Sequence, residues 1–121
     1  MELQRLHPDF TVCKVDNLAQ IDFTSEFVFL SKTDDEISLV CQSAHVPPNT
    51  TALEAGWKAL KISGTLEFGM VGVIAKIATV LAKAGISIFV ISTYNTDYIL
   101  VKSEHLERSI QTLTRSGYGI R

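Results

Sequence analysis

The segment from Ile91 to Val101 most constrains what this chain can fold into. Two apolar runs, Ile86 to Ile91 and Tyr98 to Val101, are rich in β-branched and aromatic residues and are typical of β-strands. Between them lie six polar or turn-competent positions, Ser92 to Asp97. A bare turn needs only a short Asn, Asp or Gly motif. The extra hydroxyl, amide and carboxylate groups therefore predict a hairpin that also contributes to a binding site.

The rest of the second half alternates strand-like and helix-like patterns. Lys58 to Leu66 alternates apolar and polar residues, which predicts a strand with one buried face. Val71 to Ala84 has apolar residues at helical spacing, and Gly85 suits the left-handed cap that ends a helix. Ser103 is expected to cap a second helix, before a short strand over 118–121. The predicted order is β-α-β-β-α-β, an α+β ferredoxin-like unit with an antiparallel sheet and helices on one face.

The first half repeats this order in reduced form. Phe10 to Val15 predicts a strand, and Phe27 to Lys32 with Glu36 to Gln42 predicts a hairpin. A polar connection over 16–26 stands where the first helix of the unit would be. Thr51 to Glu54 has the spacing of a helix capping box, so about one turn of helix is expected there.

Two units are therefore predicted, a degenerate one over 1–57 that lacks its first helix and a complete one over 58–121. Hydrophobic residues make up 46% of the chain and charged residues 20%, which suits an ordinary globular domain. No flexible linker divides the two units, so we expect them to fold together.

Charge and hydropathy patterns exclude several classes of protein. The formal net charge of −2 argues against nucleic-acid binding, which requires basic patches. No apolar run approaches the roughly 20 residues of a membrane helix, so no membrane association is expected. The first residues have no apolar signal core. A cytoplasmic location is the resulting expectation.

Reactive and metal-binding residues are sparse. Cys13 and Cys41 lie in apolar, strand-like runs without CxxC spacing and are interpreted as buried hydrophobic residues. His7, His45 and His105 are scattered and form no ligand cluster. No catalytic residue, metal site or cofactor is predicted, and the chain is not expected to be an enzyme.

Two motifs resemble a known family. Glu67-Phe-Gly-Met-Val-Gly-Val-Ile74 at a helix start, followed by Gly85 to Val101, is similar to an ACT domain. The likeness extends more narrowly to tandem-ACT proteins of the cytosolic arginine-sensor type, and Gly56 to Lys61 fits their inter-repeat junction. This resemblance implies a protein that binds a free amino acid and regulates something else without catalysis. It also implies a homodimer, and a regulated enzyme or other protein as a partner.

By the same resemblance, the helix start and the hairpin would line the ligand. The implied ligand-binding residues are Gly69, Met70, Val71, Gly72, Thr93, Tyr94, Asn95 and Asp97. The chemistry fits an amino acid, because a helix start attracts a carboxylate and Asp97 can pair with an ammonium group.

Each of these residues also has a structural interpretation. Gly69 and Gly72 alternatively permit a tight strand-to-helix turn, and the two apolar residues between them alternatively belong to the core or to an interface. Asn95 alternatively provides the positive φ of a turn, and Asp97 alternatively caps its own turn.

The leading hypothesis is a non-catalytic regulatory module that holds an amino acid between a Gly-lined helix start and a polar β-hairpin, at or near a dimer interface. The alternative is an ACT-shaped structural or protein-interaction domain that has lost ligand binding.

Overall fold

The computed structural model of the protein describes residues 1–63 and 71–121. The chain forms two compact units: the small unit, Pro8–Trp57, and the large unit, which combines Met1–His7 with Lys58–Arg121. In chain order the elements are β1 (Glu2–Arg5), β2 (Phe10–Val15), β3 (Phe29–Lys32), β4 (Ile37–Gln42), β5 (Thr50–Ile62), α1 (Val73–Lys83), β6 (Phe89–Ser92), β7 (Asp97–Lys102), α2 (Leu106–Arg115) and β8 (Gly119–Ile120).

The large unit has the predicted α+β ferredoxin-like architecture with one added strand. Its strands pair in the order β6-β7-β5-β1-β8. The added strand is β1, which pairs antiparallel to β5 and parallel to β8. The prediction placed residues 1–7 in the first unit. In the structure they lie in the large unit instead, because β1 completes its sheet and buries Leu3.

One apolar cluster joins the sheet of the large unit to its two helices. Its buried members come from β1, β5 and β7, from both helices, and from the segment before β6: Leu3, Leu60, Ile62, Ile77, Leu81, Ile86, Ile99, Val101 and Leu113. Burying a Leu or Ile side chain contributes about 1.5–3 kcal/mol. The burial of this cluster therefore contributes most of the free energy that holds α1 and α2 on the sheet.

The ends of several elements in the large unit differ from the prediction. Ser103 does not cap α2, because a 3-10 turn over Ser103–His105 intervenes and His105 occupies the N-cap position. The strand predicted to begin at Ile86 begins at Phe89. Gly85 has φ +74°, in agreement with the predicted left-handed helix end.

The small unit contains a four-stranded antiparallel arrangement in the order β3-β4-β2-β5. This is the strand order of a ferredoxin-like unit, with residues 16–28 in place of the first helix and a 3-10 turn, Ser43–His45, in place of the second. The helical turn predicted over Thr51–Glu54 is wrong. These residues belong to β5, where the ladder with β2 pairs Leu53 with Cys13 and so overrides the capping-box pattern.

The two units contain hairpins that correspond at an interval of sixty positions. In the small unit the Thr33 N–H donates to the Glu36 carbonyl at 2.9 Å, and in the large unit the Thr93 N–H donates to the Thr96 carbonyl at 2.9 Å. Each hairpin is followed by a single 3-10 turn. The same local structure is thus built twice in one chain.

Candidate functional site

The hairpin between β6 and β7 has a turn that is closed by its own threonine. Ser92 and Asp97 are partners in the strand register, so Thr93 to Thr96 form the connection. Besides its N–H, Thr93 donates its hydroxyl to the Thr96 carbonyl at 2.8 Å and accepts the Thr96 N–H at 3.3 Å. These contacts define the conformation of the turn.

Thr96 fastens this turn to a neighbouring strand. Its side chain is 4% exposed, and its hydroxyl donates to the carbonyl of Ile62, the last residue of β5, at 2.9 Å. Thr96 was absent from the predicted site residues. A threonine in a polar turn gives no sequence signal for burial, so nothing in the pattern distinguished it from Thr93.

Three of the four predicted hairpin residues lie in this turn, and the fourth follows it directly. Thr93 and Asn95 are exposed, and Tyr94 is 79% exposed, so its ring faces solvent. Asp97 is half-buried and begins β7 rather than lying in the turn. The hairpin therefore presents hydroxyl, amide, aromatic and carboxylate groups within five consecutive positions.

The helix start contributes the other predicted residues. Gly72 is the N-cap of α1, has φ +79°, and accepts the Lys76 N–H at 3.0 Å. Within the described part of the chain, no side chain caps the first turn of this helix. The first N–H groups of a helix have no partner inside it and carry the positive end of its dipole. Val71 is 91% exposed, whereas Gly69 and Met70 lie outside the described residues.

Two surface cavities adjoin this helix start. One, of about 450 Å³, includes Gly72, and the other, of about 420 Å³, includes Val71. Lys76 and Tyr118 border both, and neither was among the predicted site residues. Among the described residues, none of the hairpin lines either of these two cavities.

The two thiols of the small unit are buried and poorly suited to nucleophilic chemistry. Burial is the main reason that the pKa of the Cys13 thiol is raised, and a hydrogen bond with Cys41 lowers that pKa by less. Burial also raises the pKa of Cys41 to about 11, and the neighbouring Cys13 adds to that rise. A thiol is nucleophilic as its thiolate, so a raised pKa makes it less reactive.

Metal ligation and membrane spanning are not indicated in the described segments. Residues 1–63 and 71–121 contain no cluster of three or more His, Cys, Asp or Glu side chains that could hold a metal ion. No helix among these same residues is both long enough and apolar enough to span a membrane.

Comparison with known sequences places these features in a family. The family model described as ACT domain matches residues 52–115. The human and Pongo abelii proteins named "Cytosolic arginine sensor for mTORC1 subunit 1" are each 38% identical to this chain over 65 residues. That match covers 53% of this chain and 20% of each relative. The chain thus spans about a fifth of the length of these relatives.

Solved structures share the fold across almost the whole chain. A protein from Agrobacterium tumefaciens has a TM-score of 0.87 and 29% identity, covering 99% of this chain and 91% of that one. An aspartate kinase from Clostridium acetobutylicum has a TM-score of 0.64 and 16% identity, covering 88% of this chain and 32% of the kinase. At such low identity the kinase supports the fold alone. The family match confirms the resemblance drawn from the sequence motifs: the chain belongs to the ACT domain family, whose members are regulatory modules that bind small molecules.

Proposed function

We propose that this chain is a non-catalytic regulatory module that binds a free amino acid between the start of α1 and the β6–β7 hairpin. The observation that carries the proposal is the hairpin itself. The bond from Thr96 to Ile62 holds it in place, and it presents the Asp97 carboxylate at the first position of a strand. A ligand site benefits from groups that are positioned before binding.

The ligand's two charged groups match the two segments. Its carboxylate would accept hydrogen bonds from N–H groups in the first turn of α1, next to Gly72. Gly69, Met70 and Val71 precede that turn in the sequence and are also proposed to bind the ligand. The ammonium group would pair with Asp97, a charge-assisted hydrogen bond that contributes about 1.5–3 kcal/mol.

The remaining hairpin residues would select and enclose the ligand. Thr93 and Asn95 offer hydroxyl and amide groups, and the exposed Tyr94 ring offers an apolar wall. We propose arginine as the first amino acid to test, because the sequence relatives are named as arginine sensors. The same relatives are named as cytosolic, which supports a cytoplasmic location for this chain.

We further propose a homodimer with the ligand at or near its interface. Val71 and Tyr94, one from each side of the proposed site, are 91% and 79% exposed. A second copy that covers them would remove water from the ligand and strengthen its polar contacts. The binding signal would pass to a regulated enzyme or another protein partner through a shift in the populations of the dimer.

The small unit would then be a degenerate ACT-like repeat within 1–57. Its strand order and its hairpin match those of the large unit, but residues 16–28 stand where the first helix would be. It therefore offers no helix start of the kind found at Gly72.

The alternative function is an ACT-shaped scaffold or protein-interaction domain that has lost ligand binding. The small unit supports this alternative, because it has the strand order of such a unit and no α-helix.

A thermal-shift screen of the full chain against the twenty amino acids at millimolar concentration separates the two. A ligand at about 100 times its Kd adds about 2.7 kcal/mol, which raises the Tm by several degrees. One responding amino acid, or one chemical class, supports the regulatory module. A flat screen together with a concentration-dependent Tm supports the scaffold.

A further inference from the structure

We infer that Thr96 is the positioning residue of the proposed amino-acid site: it holds the hairpin against the end of β5 and so determines where the Asp97 carboxylate lies. The inference rests on the proposed function. Its structural basis is the 2.9 Å bond from the Thr96 hydroxyl to the Ile62 carbonyl, made by a side chain that is 4% exposed.

This bond is the kind of contact that is costly to lose. A hydroxyl has one hydrogen to donate, and that of Thr96 is used by Ile62. Both partners of this bond are buried, and a hydrogen bond between buried groups costs more to lose than an exposed one. Thr96 is buried, and its hydroxyl hydrogen is already donated to Ile62. It therefore acts by positioning its neighbour Asp97 rather than by touching the ligand.

Each of the two residues joined by this bond precedes one segment of the proposed site in the sequence. Thr96 immediately precedes Asp97, the first residue of β7. Ile62 is the last residue of β5, and α1 is the next described element in chain order. The buried Thr96 side chain therefore connects the hairpin to the end of β5.

The corresponding hairpin of the small unit provides an internal comparison. There the N–H of Thr33 makes the same bond to Glu36 that Thr93 makes to Thr96. Glu36 is exposed, and the next residue is Ile37 where the large unit has Asp97. A buried threonine is thus not required to form this turn. At the positions that correspond to Thr96 and Asp97 the small unit has neither residue, so the buried threonine and the carboxylate after it occur together in the large unit.

The test compares Thr96→Val, which keeps the shape and removes the hydroxyl, with Thr96→Ser, which keeps the hydroxyl. Thr112→Val is the matched control, because Thr112 donates its hydroxyl to a helix carbonyl, Arg108, at 2.7 Å in α2. Isothermal titration with the amino acid that responds in the screen should give about a tenfold or larger rise in Kd for Thr96→Val. Thr96→Ser should bind within about threefold of the natural protein, and Thr112→Val should bind unchanged.

Hydrogen exchange without ligand provides a second readout that does not depend on binding. In Thr96→Val, the amides of 93–97 should exchange at least about tenfold faster, while those of 33–37 in the small unit stay unchanged. If Thr96→Val does not fold, Thr96→Ala replaces it in both measurements. Unchanged exchange, or full affinity in the folded variant, overturns the positioning role and leaves the proposed function standing. A natural protein that binds no amino acid overturns the proposed function, while faster exchange in Thr96→Val would still establish that Thr96 holds the hairpin.

Discussion

Asp97 pairs with Ser92 across the β6–β7 hairpin, and this is the pair of strand residues next to the turn. Residues that pair directly across antiparallel strands have Cβ atoms about 4.5–5.5 Å apart and point to the same face. The Asp97 carboxylate therefore extends from a backbone position that the strand ladder maintains. Asn95, in contrast, lies in the connecting turn. This difference makes Asp97 the better-positioned of the two to hold a charged ligand group.

Asp97→Ala should weaken amino-acid binding by about tenfold to a hundredfold, because a charge-assisted contact is lost. Titration calorimetry measures the change, and circular dichroism checks that the fold is kept. Asp34→Ala, in the turn of the small-unit hairpin, is the matched control and should bind normally. Loss of folded structure in Asp97→Ala would mean that the carboxylate is structural, and the site assignment would fail.

Gly72→Ala should destabilise the large unit through backbone strain. Gly72 has φ +79°, and among residues 1–63 and 71–121 no atom is recorded within 4 Å of a Cβ added there. A left-handed conformation costs a non-glycine residue about 1–2 kcal/mol. Urea unfolding should show a loss of that size. Gly119→Ala is the control, because the φ of Gly119 is not in that region and the nearest atom to its new Cβ is in the flexible Glu2 side chain, at 3.3 Å. Its loss of stability should be smaller. Equal losses would exclude strain at Gly72 as the cause.

The buried thiols should react slowly in the native protein. With a pKa of about 11, Cys41 is a thiolate in about one molecule per thousand at pH 8, against about one in ten for an ordinary thiol of pKa 9.0. A thiol reagent such as DTNB should label the urea-unfolded chain quickly and the native chain slowly. Rapid labelling of the native protein would contradict the burial of this pair.

The same shift predicts a loss of stability in alkali. Because the folded state raises the pKa of Cys41 above its ordinary value of 9.0, the folded state binds the proton more tightly than the unfolded state does. This contribution to stability is complete below about pH 9 and is lost as the pH rises through about 11. Urea unfolding of Cys41→Ala should show a weaker alkaline decline than the natural protein. An identical decline would assign it to other groups.

Leu81→Ala should cost about 2–5 kcal/mol, because Leu81 is fully buried in the cluster that joins α1 to the sheet. Leu53→Ala is the matched control. Leu53 is 52% exposed in β5, so its truncation should cost less than about 1 kcal/mol. Urea denaturation measures both. A small loss for Leu81→Ala would mean that α1 is not held by this cluster.

Most of the fold was predictable wherever a local pattern matched the final contacts. The hairpin strands are apolar runs separated by polar turns, and the buried residues of α1, Ile77 and Leu81, lie at helical spacing. Strand β1 was missed because Glu2–Arg5 contains one apolar residue, and its pairing with β5 and β8 is a long-range contact. The helical turn expected at Thr51–Glu54 failed for the same reason, since its capping pattern is local while its pairing with β2 is not.

The candidate site was predictable in part. The sequence shows that the hairpin has more polar residues than a turn needs, and the structure places these residues at the β6–β7 turn. The sequence also shows the glycine at position 72, which is the N-cap of α1 in the structure. The buried role of Thr96 was not visible, because it depends on a carbonyl thirty-four residues away. Lys76 and Tyr118 border the cavities through tertiary packing, which periodicity does not specify.

The most direct test of the proposed site is an NMR titration of the isotope-labelled full chain with the amino acid that responds in the thermal-shift screen, arginine first. Amide signals of both segments, 71–75 at the helix start and 93–97 in the hairpin, should shift together and saturate with one Kd. Shifts confined to other residues, or an absence of shifts with every amino acid, would contradict an amino-acid site between these two segments.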